Sequence, residues 1–346
     1  MNRLIFSYDN NPLVVCSVGG TSAGKSLLEL CSKAYPLMKN QLPGLRMVLV
    51  CGPSLSPDSL SIPEGVEATG YVPNLYKHLA AADLAIVTGG GRGFGRAIAK
   101  RYAAEGAKVL VTARSKNQLD ETVEQIHTLG GEAIAVAGDV ANREDVSRVV
   151  SKAEERFGQV TLLVNDAGIS GPFGPIWFVD PDAWWDTQVV HVRGMLLYSR
   201  AVLPGMVKRR GGRIVTVSAL AATKIEPNMS AYAVAKSAQV RFTEHLAAEV
   251  KEYGIMAFAI EPGTVFTDLA KGTIADIDAQ RWRPGMVDRL SQLKEQSDPA
   301  VGLTKCAELC FRLASGQCDA LSGQYIDVRV DLDEKLRQSM SLSGAG

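Results

Sequence analysis

No window of the sequence approaches the roughly 18 consecutive apolar residues that a bilayer-spanning helix needs, and the opening stretch MNRLIFSYDNNP has no charged-then-apolar run of the secretory type. Both absences predict a cytoplasmic protein with no membrane partner. Net charge is missing too: 37 Lys and Arg balance 37 Asp and Glu, so no long-range field draws in nucleic acid. Six cysteines (Cys16, Cys31, Cys51, Cys306, Cys310, Cys318) and four histidines form no CxxC pair and no zinc spacing, which predicts reduced thiols and no metal site. Cys306 and Cys310, four apart on an expected helix, read as small apolar core residues. What is abundant is apolar residue and glycine, 46% hydrophobic with 33 Gly, the composition of a globular chain with many tight turns. At about 150 residues per domain, 346 residues suggest roughly two domains.

Apolar β-branched runs alternate with helical patterns along most of the chain. From residue 83 the expected order is strand 84–87, helix 95–105, strand 108–112, helix 116–129, strand 133–137, helix 143–157, strand 161–164, a long helix around 184–209, strand 213–217, helix 231–252, strand 256–260 and a short strand near 324–328. The pattern predicts an α/β fold, a doubly wound parallel sheet of Rossmann type with about seven strands, over residues 83–333. Residues 1–82 form a shorter set: strand 13–18, helix 24–39, strands 47–50 and 66–71, and helix 75–82. They are expected to make a small, incomplete α/β lobe, and 334–346 a flexible tail. No linker parts the lobe from the larger set, so the junction falls on strand 84–87 and the chain reads as a fusion. That strand is expected at the centre of the large sheet and cannot also pair with strand 13–18, which leaves the lobe three strands and an unpaired edge. Because the chain enters that strand at its N-terminal end, the lobe is expected opposite the cofactor crevice, adding little to the chemistry.

Two glycine-rich turns follow strands. The first, Gly19-Gly20-Thr21-Ser22-Ala23-Gly24-Lys25-Ser26, matches the phosphate-loop pattern, but the next two strands end in no acidic residue to hold a metal. With RMVLVCGP and GYVPNLYKHLAAADLAIVTGGG it makes residues 1–91 resemble the nucleotide-sugar half of MurG-like glycosyltransferases. That resemblance stops before the donor site is complete. It implies glycosyl or nucleotide-phosphate chemistry as a third reading of the function.

The second turn, Thr88-Gly89-Gly90-Gly91-Arg92-Gly93-Phe94-Gly95, has T-G-x-x-x-G-x-G spacing between a strand and a helix. Gly89 permits the turn, Gly93 admits a pyrophosphate and Gly95 lets the helix pack close. Together with Asp139-Val140, Asn165-Asp166-Ala167-Gly168, Tyr232-Ala233-Val234-Ala235-Lys236 and Pro262-Gly263-Thr264-Val265-Phe266-Thr267, it makes residues 84–329 resemble the short-chain dehydrogenase/reductase family. The resemblance implies a nicotinamide dinucleotide held by Thr88, Gly89, Gly91, Arg92, Gly93, Phe94, Gly95, Asp139, Val140, Asn165, Ala167, Gly168, Pro262, Gly263, Val265 and Thr267. Asp139 would meet the adenine amine and Thr267 the nicotinamide carboxamide. Where a ribose 2′-hydroxyl would ask for a carboxylate, strand 108–112 is followed by Ala113 and Arg114; with Arg92, this favours NADP(H), NAD remaining possible.

Carbonyl/alcohol interconversion needs a proton donor or acceptor at the substrate oxygen. Tyr232 and Lys236 share a helix face at i,i+4, where the ammonium is expected to bias the phenol towards phenolate and to reach the ribose. Three positions depart from the family pattern. Thirteen residues before Tyr232, where a serine polarises the substrate oxygen, stands Ala219; Ser218 is one step away, on the opposite face of a regular strand. His191 stands for the catalytic asparagine, with a proton relay to Lys236 or a passive place in the helix both open, and Asp166 for the second residue of an Asn-Asn pair. The catalytic candidates are therefore Tyr232, Lys236, His191 and Ser218. The leading expectation is an NADP(H)-dependent oxidoreductase of reduced activity on a small carbonyl or alcohol compound; the alternative is a cofactor-binding protein that has lost catalysis. Residues 268–299, with Trp282, Met286 and Leu290, fall where relatives carry a lid, and suggest an apolar or bulky substrate. Relatives pair into homodimers or homotetramers through the helices matching 184–209 and 231–252.

Overall fold

The computed structural model describes residues 13–17, 23–51, 55–70 and 84–343. The chain divides into two units, Met1–Leu79 and Ala80–Gly346, taken here in turn.

In the first unit, β1 (Leu13–Ser17), β2 (Arg46–Val50) and β3 (Val66–Thr69) form a three-stranded parallel sheet in that order, with α1 (Ala23–Gln41) connecting β1 to β2. Leu28 and Tyr35 of α1 pack on Met47, Leu49, Leu60 and Val66. The Tyr35 hydroxyl donates to the Leu45 carbonyl at 3.1 Å, which satisfies the phenol inside this core. Residues 19–22 of the phosphate-loop motif and the expected helix 75–82 lie outside the described residues. Lys25 is described, and pairs with Glu29 one helical turn on, at 3.9 Å.

The second unit is built on a seven-stranded parallel sheet in the order β10-β9-β8-β7-β4-β5-β6. These strands are β4 (Leu84–Thr88), β5 (Lys108–Ala113), β6 (Glu132–Ala137), β7 (Leu162–Asn165), β8 (Gly212–Val217), β9 (Ile255–Glu261) and β10 (Tyr325–Asp327). β4 is central, paired with β5 (Ile86↔Leu110) and β7 (Ile86↔Leu163), and all five of its residues are buried. A strand covered on both faces needs a continuous apolar run, which Leu-Ala-Ile-Val-Thr supplies. The order reverses between β4 and β7, and a crevice opens beyond the carboxyl ends of strands at such a switch point. The connecting helices are α2 (Gly93–Ala104), α3 (Lys116–Thr128) and α4 (Arg143–Phe157) on the β5-β6 side of the order. Asn142 caps α4, its Oδ1 accepting from Asp145 N at 2.9 Å.

The long helix expected over 184–209 is three pieces: α5 (Pro181–Gln188), a π-helical turn (Val189–Arg193) and α6 (Gly194–Arg209). After β8 come α7 (Ser230–Val250) and β9, then four helices for which no spans were expected: α8 (Asp268–Ala275), α9 (Ile277–Trp282), α10 (Pro284–Gln296) and α11 (Pro299–Ala314). α11 packs on α2, where the Tyr102 hydroxyl donates to Cys310 O at 2.8 Å and the Arg101 guanidinium sits 3.9 Å over the Phe311 ring. Cys306 and Cys310 are buried in this contact. The expected frayed tail is instead a helix, α12 (Leu332–Ser343): Asp331 Oδ1 accepts from Asp333 N and Glu334 N at 3.0 and 3.1 Å, and Asp333 pairs with Arg312. The capping aspartate and a partner on another helix supply what the polar composition concealed. Residues 344–346 lie outside the described residues.

Candidate active site

A cleft of about 1050 Å³ opens at the carboxyl ends of the strands, lined, among the described residues, by those between Gly89 and Gln296. Its floor is the turn between β4 and α2. Gly89 has φ +69° and Gly93 φ +54°, the left-handed region that glycine enters without strain. At Gly95 the need is space: a β-carbon there would lie 2.4 Å from the Gly89 carbonyl oxygen and 2.8 Å from Asp166 Oδ2. Gly95→Ala should therefore lower stability by about 1–3 kcal/mol through overpacking and open the turn; a thermal-unfolding curve that matches wild type would refute this. Thr88 ties the turn to β7, its hydroxyl donating to Val164 O at 3.3 Å and accepting from Asp166 N and Ala167 N at 3.0 and 3.2 Å. Arg96, unremarked in the sequence, clamps the other side: Nε donates to Gly91 O at 3.0 Å and to Thr122 Oγ1 at 2.9 Å, and the guanidinium also pairs with Glu121 at 3.0 Å.

Along one wall, Asp139 is held from both sides. Its N–H donates to Asp145 Oδ2 at 2.9 Å, and its own Oδ1 accepts from Ala141 N at 2.8 Å. Asp145 is kept below the usual carboxylate range by that backbone N–H and then by Arg148. Val140, Ala113, Arg114, Gly91 and the half-buried Phe94 complete this wall, with Arg114 exposed on the rim. Arg92 also stands on the rim and is exposed, its guanidinium 3.7 Å from Asp268 at the start of α8. Opposite the turn, Pro262, Gly263 (φ +85°), Val265 and Thr267 line the cleft. The Thr267 methyl would lie 3.6 Å from a β-carbon at Gly93. Asn165 sits at the end of β7, 4% exposed, with no hydrogen-bond partner for either side-chain atom among the described residues; it does not line the cleft.

At the closed end, α7 presents Tyr232 and Lys236 one turn apart, the ammonium 5.6 Å from the phenol ring centre. Lys236 is 4% exposed and donates to Val217 O at 2.8 Å and Gln239 Oε1 at 3.1 Å. Burial lowers its pKa to about 8, against the opposing pull of Asp166. The expectation for the phenol is overturned: burial first, then the carboxyls of Asp166 and Glu261, push Tyr232 above its ordinary value, so it keeps its proton. His191 is in the site, its ring edge-on to Tyr232 at 5.6 Å and buried. Its Nε2 is 2.8 Å from Ile169 O, Nδ1 has no partner among the described residues, and burial lowers its pKa to about 3, so the imidazole is neutral. Gly168 makes room for it, since a β-carbon there would meet the ring at 2.5 Å. The π-helical turn brings this ring to the site, in keeping with the frequent placing of such turns at functional positions.

Ser218 requires correction as a catalytic candidate. Although it borders the cleft, it is 2% exposed and its hydroxyl donates to Lys236 O at 2.9 Å, fastening β8 to α7. Ala219 lines the cleft instead, and its carbonyl accepts from the Tyr325 hydroxyl at 2.7 Å. Sequence reading missed Tyr325, 106 residues away, and also Glu261, although it directly precedes the Pro262-Gly263 motif. Glu261 is buried, accepts from Gly263 N at 3.1 Å and lies 3.7 Å from Arg329. Over the cleft, Met286 and Leu290 of α10 line the wall, whereas Trp282 packs outside it against Phe178 at 5.5 Å. The end of α9 is fastened to the loop before α7 by an Arg283–Glu226 ion pair and by Asn228 Nδ2 donating to Trp282 O at 3.1 Å.

Glycines that leave a cradle before α2, a fixed carboxylate at Asp139 and a buried Tyr-Lys pair at the far end of one cleft are the parts of a dinucleotide-dependent oxidoreductase. The chain belongs to the short chain dehydrogenase family, whose model matches residues 83–278. A short chain dehydrogenase of Pseudocercospora fijiensis is 34% identical over 275 residues, 79% of this chain and 88% of that protein. The dehydrogenase/reductase SDR family member 4 of Homo sapiens is 32% identical, over 72% of this chain and 86% of that one. Among solved structures, an actinorhodin polyketide ketoreductase variant with NADPH superimposes with a TM-score of 0.65 at 27% identity, covering 72% of this chain and 96% of that one. No helix among the described residues is long and apolar enough to cross a membrane, and none of their His, Cys, Asp and Glu side chains form a metal-binding group of three or more.

Proposed function

We propose that the chain is an NADP(H)-dependent oxidoreductase acting on a small carbonyl or alcohol compound, at a reduced rate. The observation that carries this reading is the buried pair Tyr232 and Lys236 at the closed end of a cleft whose floor is the Gly89–Gly95 turn. The cofactor supplies or accepts the hydride at the substrate carbon. The chain's own groups do the rest: the turn and the first N–H groups of α2 hold phosphate, Asp139 orients the adenine, and Thr267 faces the nicotinamide end. Tyr232, which retains its proton, donates it to the carbonyl oxygen during reduction. Lys236 has two of its three N–H bonds committed, to Val217 and Gln239, and offers the third to the ribose. The family uses a nicotinamide dinucleotide, and the similar ketoreductase structure holds NADPH.

The choice of NADPH over NADH rests on Arg92 and Arg114, both exposed on the cleft rim. A charge-assisted bond to the 2′-phosphate is worth about 1.5–3 kcal/mol, so Arg114→Ala should weaken NADPH by about tenfold or more and leave NADH nearly unchanged. Fluorescence titration of both nucleotides decides it, and equal losses for the two would sink the NADP(H) assignment.

A second reading, a cofactor-binding protein without catalysis, draws on Ala219 and on the committed hydroxyl of Ser218. NADPH binding with no turnover over a carbonyl panel would favour it. The N-terminal unit, with its three-stranded sheet, is proposed to take no part in this chemistry, since every described residue lining the cleft lies between Gly89 and Gln296.

A further inference from the structure

The family's Asn-Asn pair becomes Asn165-Asp166 in this chain, and the second residue does not point away from the site. Asp166 lines the cleft, and its carboxyl lies against the first turn of α2 at Gly95. The N–H groups of that turn are the set a helix N-terminus offers to a phosphate. The contact is close because two glycines permit it: Oδ2 would lie 3.0 Å from a β-carbon at Gly89 and 2.8 Å from one at Gly95. The carboxyl thus sits directly beneath the turn on which a pyrophosphate would rest.

An asparagine there brings one acceptor, one donor and no charge. An ionised aspartate brings acceptors only, while a protonated one restores a donor. Among the described residues, the titratable and charged groups around Asp166 leave one cation to offset its charge. From α7 they are Lys236 and Tyr232, the latter retaining its proton; from α11, Cys306, whose thiol is held well above its ordinary value. His191, beside Lys236, is neutral, and Arg92 of the turn is engaged with Asp268. Desolvation therefore outweighs the pull of Lys236, and raises the Asp166 carboxyl to about 7. A dinucleotide adds two negative charges on the same turn and removes water from it.

We propose that dinucleotide binding to this protein is proton-linked through Asp166: the cofactor is held with the carboxyl neutral, one proton from solvent binds to Asp166 with it, and the ionised carboxylate weakens its hold. This rests on the cofactor reading above. The sign follows from linkage: affinity is highest below the titration of free Asp166 and falls by up to about tenfold per pH unit above it.

The test is isothermal titration of NADH and NADPH at pH 6.5 and between pH 7.5 and 9, in two buffers of different ionisation enthalpy, which counts protons taken up. NADH carries no 2′-phosphate to titrate. In the unmodified protein, close to one proton should enter with either nucleotide at pH 8. In Asp166→Asn the uptake should fall towards zero and affinity at pH 8.5 should rise about tenfold or more; in Lys236→Met, uptake should persist at a higher pH, because the carboxyl has lost its cation. Equal uptake in wild type and Asp166→Asn, or loss of uptake in Lys236→Met at every pH measured, would assign the proton to another group and overturn the proposal. Binding without uptake in the unmodified protein overturns it also, while leaving the cofactor reading intact. Failure of both nucleotides to bind at pH 6.5 overturns both.

Discussion

Ala219→Ser is expected to raise kcat/KM for simple ketones by about 10²–10³-fold, the usual worth of one positioned donor at a developing oxyanion. The backbone is ready for it. Ala219 has φ −165° and ψ 163°, extended geometry that serine adopts without strain, and its carbonyl is anchored by Tyr325. It lines the cleft, so a hydroxyl there would stand on the substrate side of β8. Ser218 cannot give the same help, because its hydroxyl is buried against Lys236 O and faces α7. Initial rates of NADPH oxidation over a panel of ketones, with NADPH affinity measured alongside, form the test. An unchanged rate at unchanged affinity would show that the missing hydroxyl is not what limits turnover.

Tyr232→Phe should lower kcat by about 10²–10⁴-fold, the range supplied by a positioned proton donor, while NADPH affinity stays within about twofold. The aromatic ring keeps its edge contact with His191 and the variant loses only the hydroxyl. The raised pKa of this phenol also sets a direction. With burial, Asp166 and Glu261 all disfavouring phenolate, Tyr232 is a ready acid and a reluctant base in the free cleft. Carbonyl reduction should therefore run at neutral pH, and alcohol oxidation should gain steadily as pH rises above neutral. A Tyr232→Phe enzyme with wild-type kcat, or an oxidation rate flat in pH, would rule out this role.

The features legible in the sequence were those written in neighbouring residues. The buried run at 84–88, the glycine spacing of the turn and the i,i+4 separation of Tyr232 and Lys236 each carry their own geometry, and together they gave the sheet, its switch point and the closed end of the cleft. What stayed hidden depends on partners far along the chain. Arg96 reads as an ordinary helix cation until Thr122 and Glu121 come beside it. Tyr325 reads as a strand aromatic until it meets Ala219 O. The expected pull of Lys236 on Tyr232 was sound as a pairwise argument, but burial decided the outcome, with Asp166 and Glu261 adding to it. The spans of α9 and α10 escaped because α9 is a six-residue helix and the apolar contacts of Ala279, Met286 and Val287 are with Phe173 and Met229, far back along the chain, as are the Arg283 and Asn228 ties to the loop before α7.

The π-helical turn at Val189–Arg193, closed by Gly194 N–H donating to Val189 O, acts as a phase shifter. An α-helix advances about 100° per residue, so the residue accommodated in the wider turn rotates everything after it relative to α5. Downstream, Met195, Tyr198, Val202 and Met206 turn into the core in that shifted phase; upstream, Thr187 and Gln188 are buried in the unshifted one. The register of α6 in the core and the presence of an imidazole beside Tyr232 are thus one setting. Deleting a single residue from this turn would restore a regular helix and could not keep both: either the core face of α6 rotates out, or His191 leaves the site.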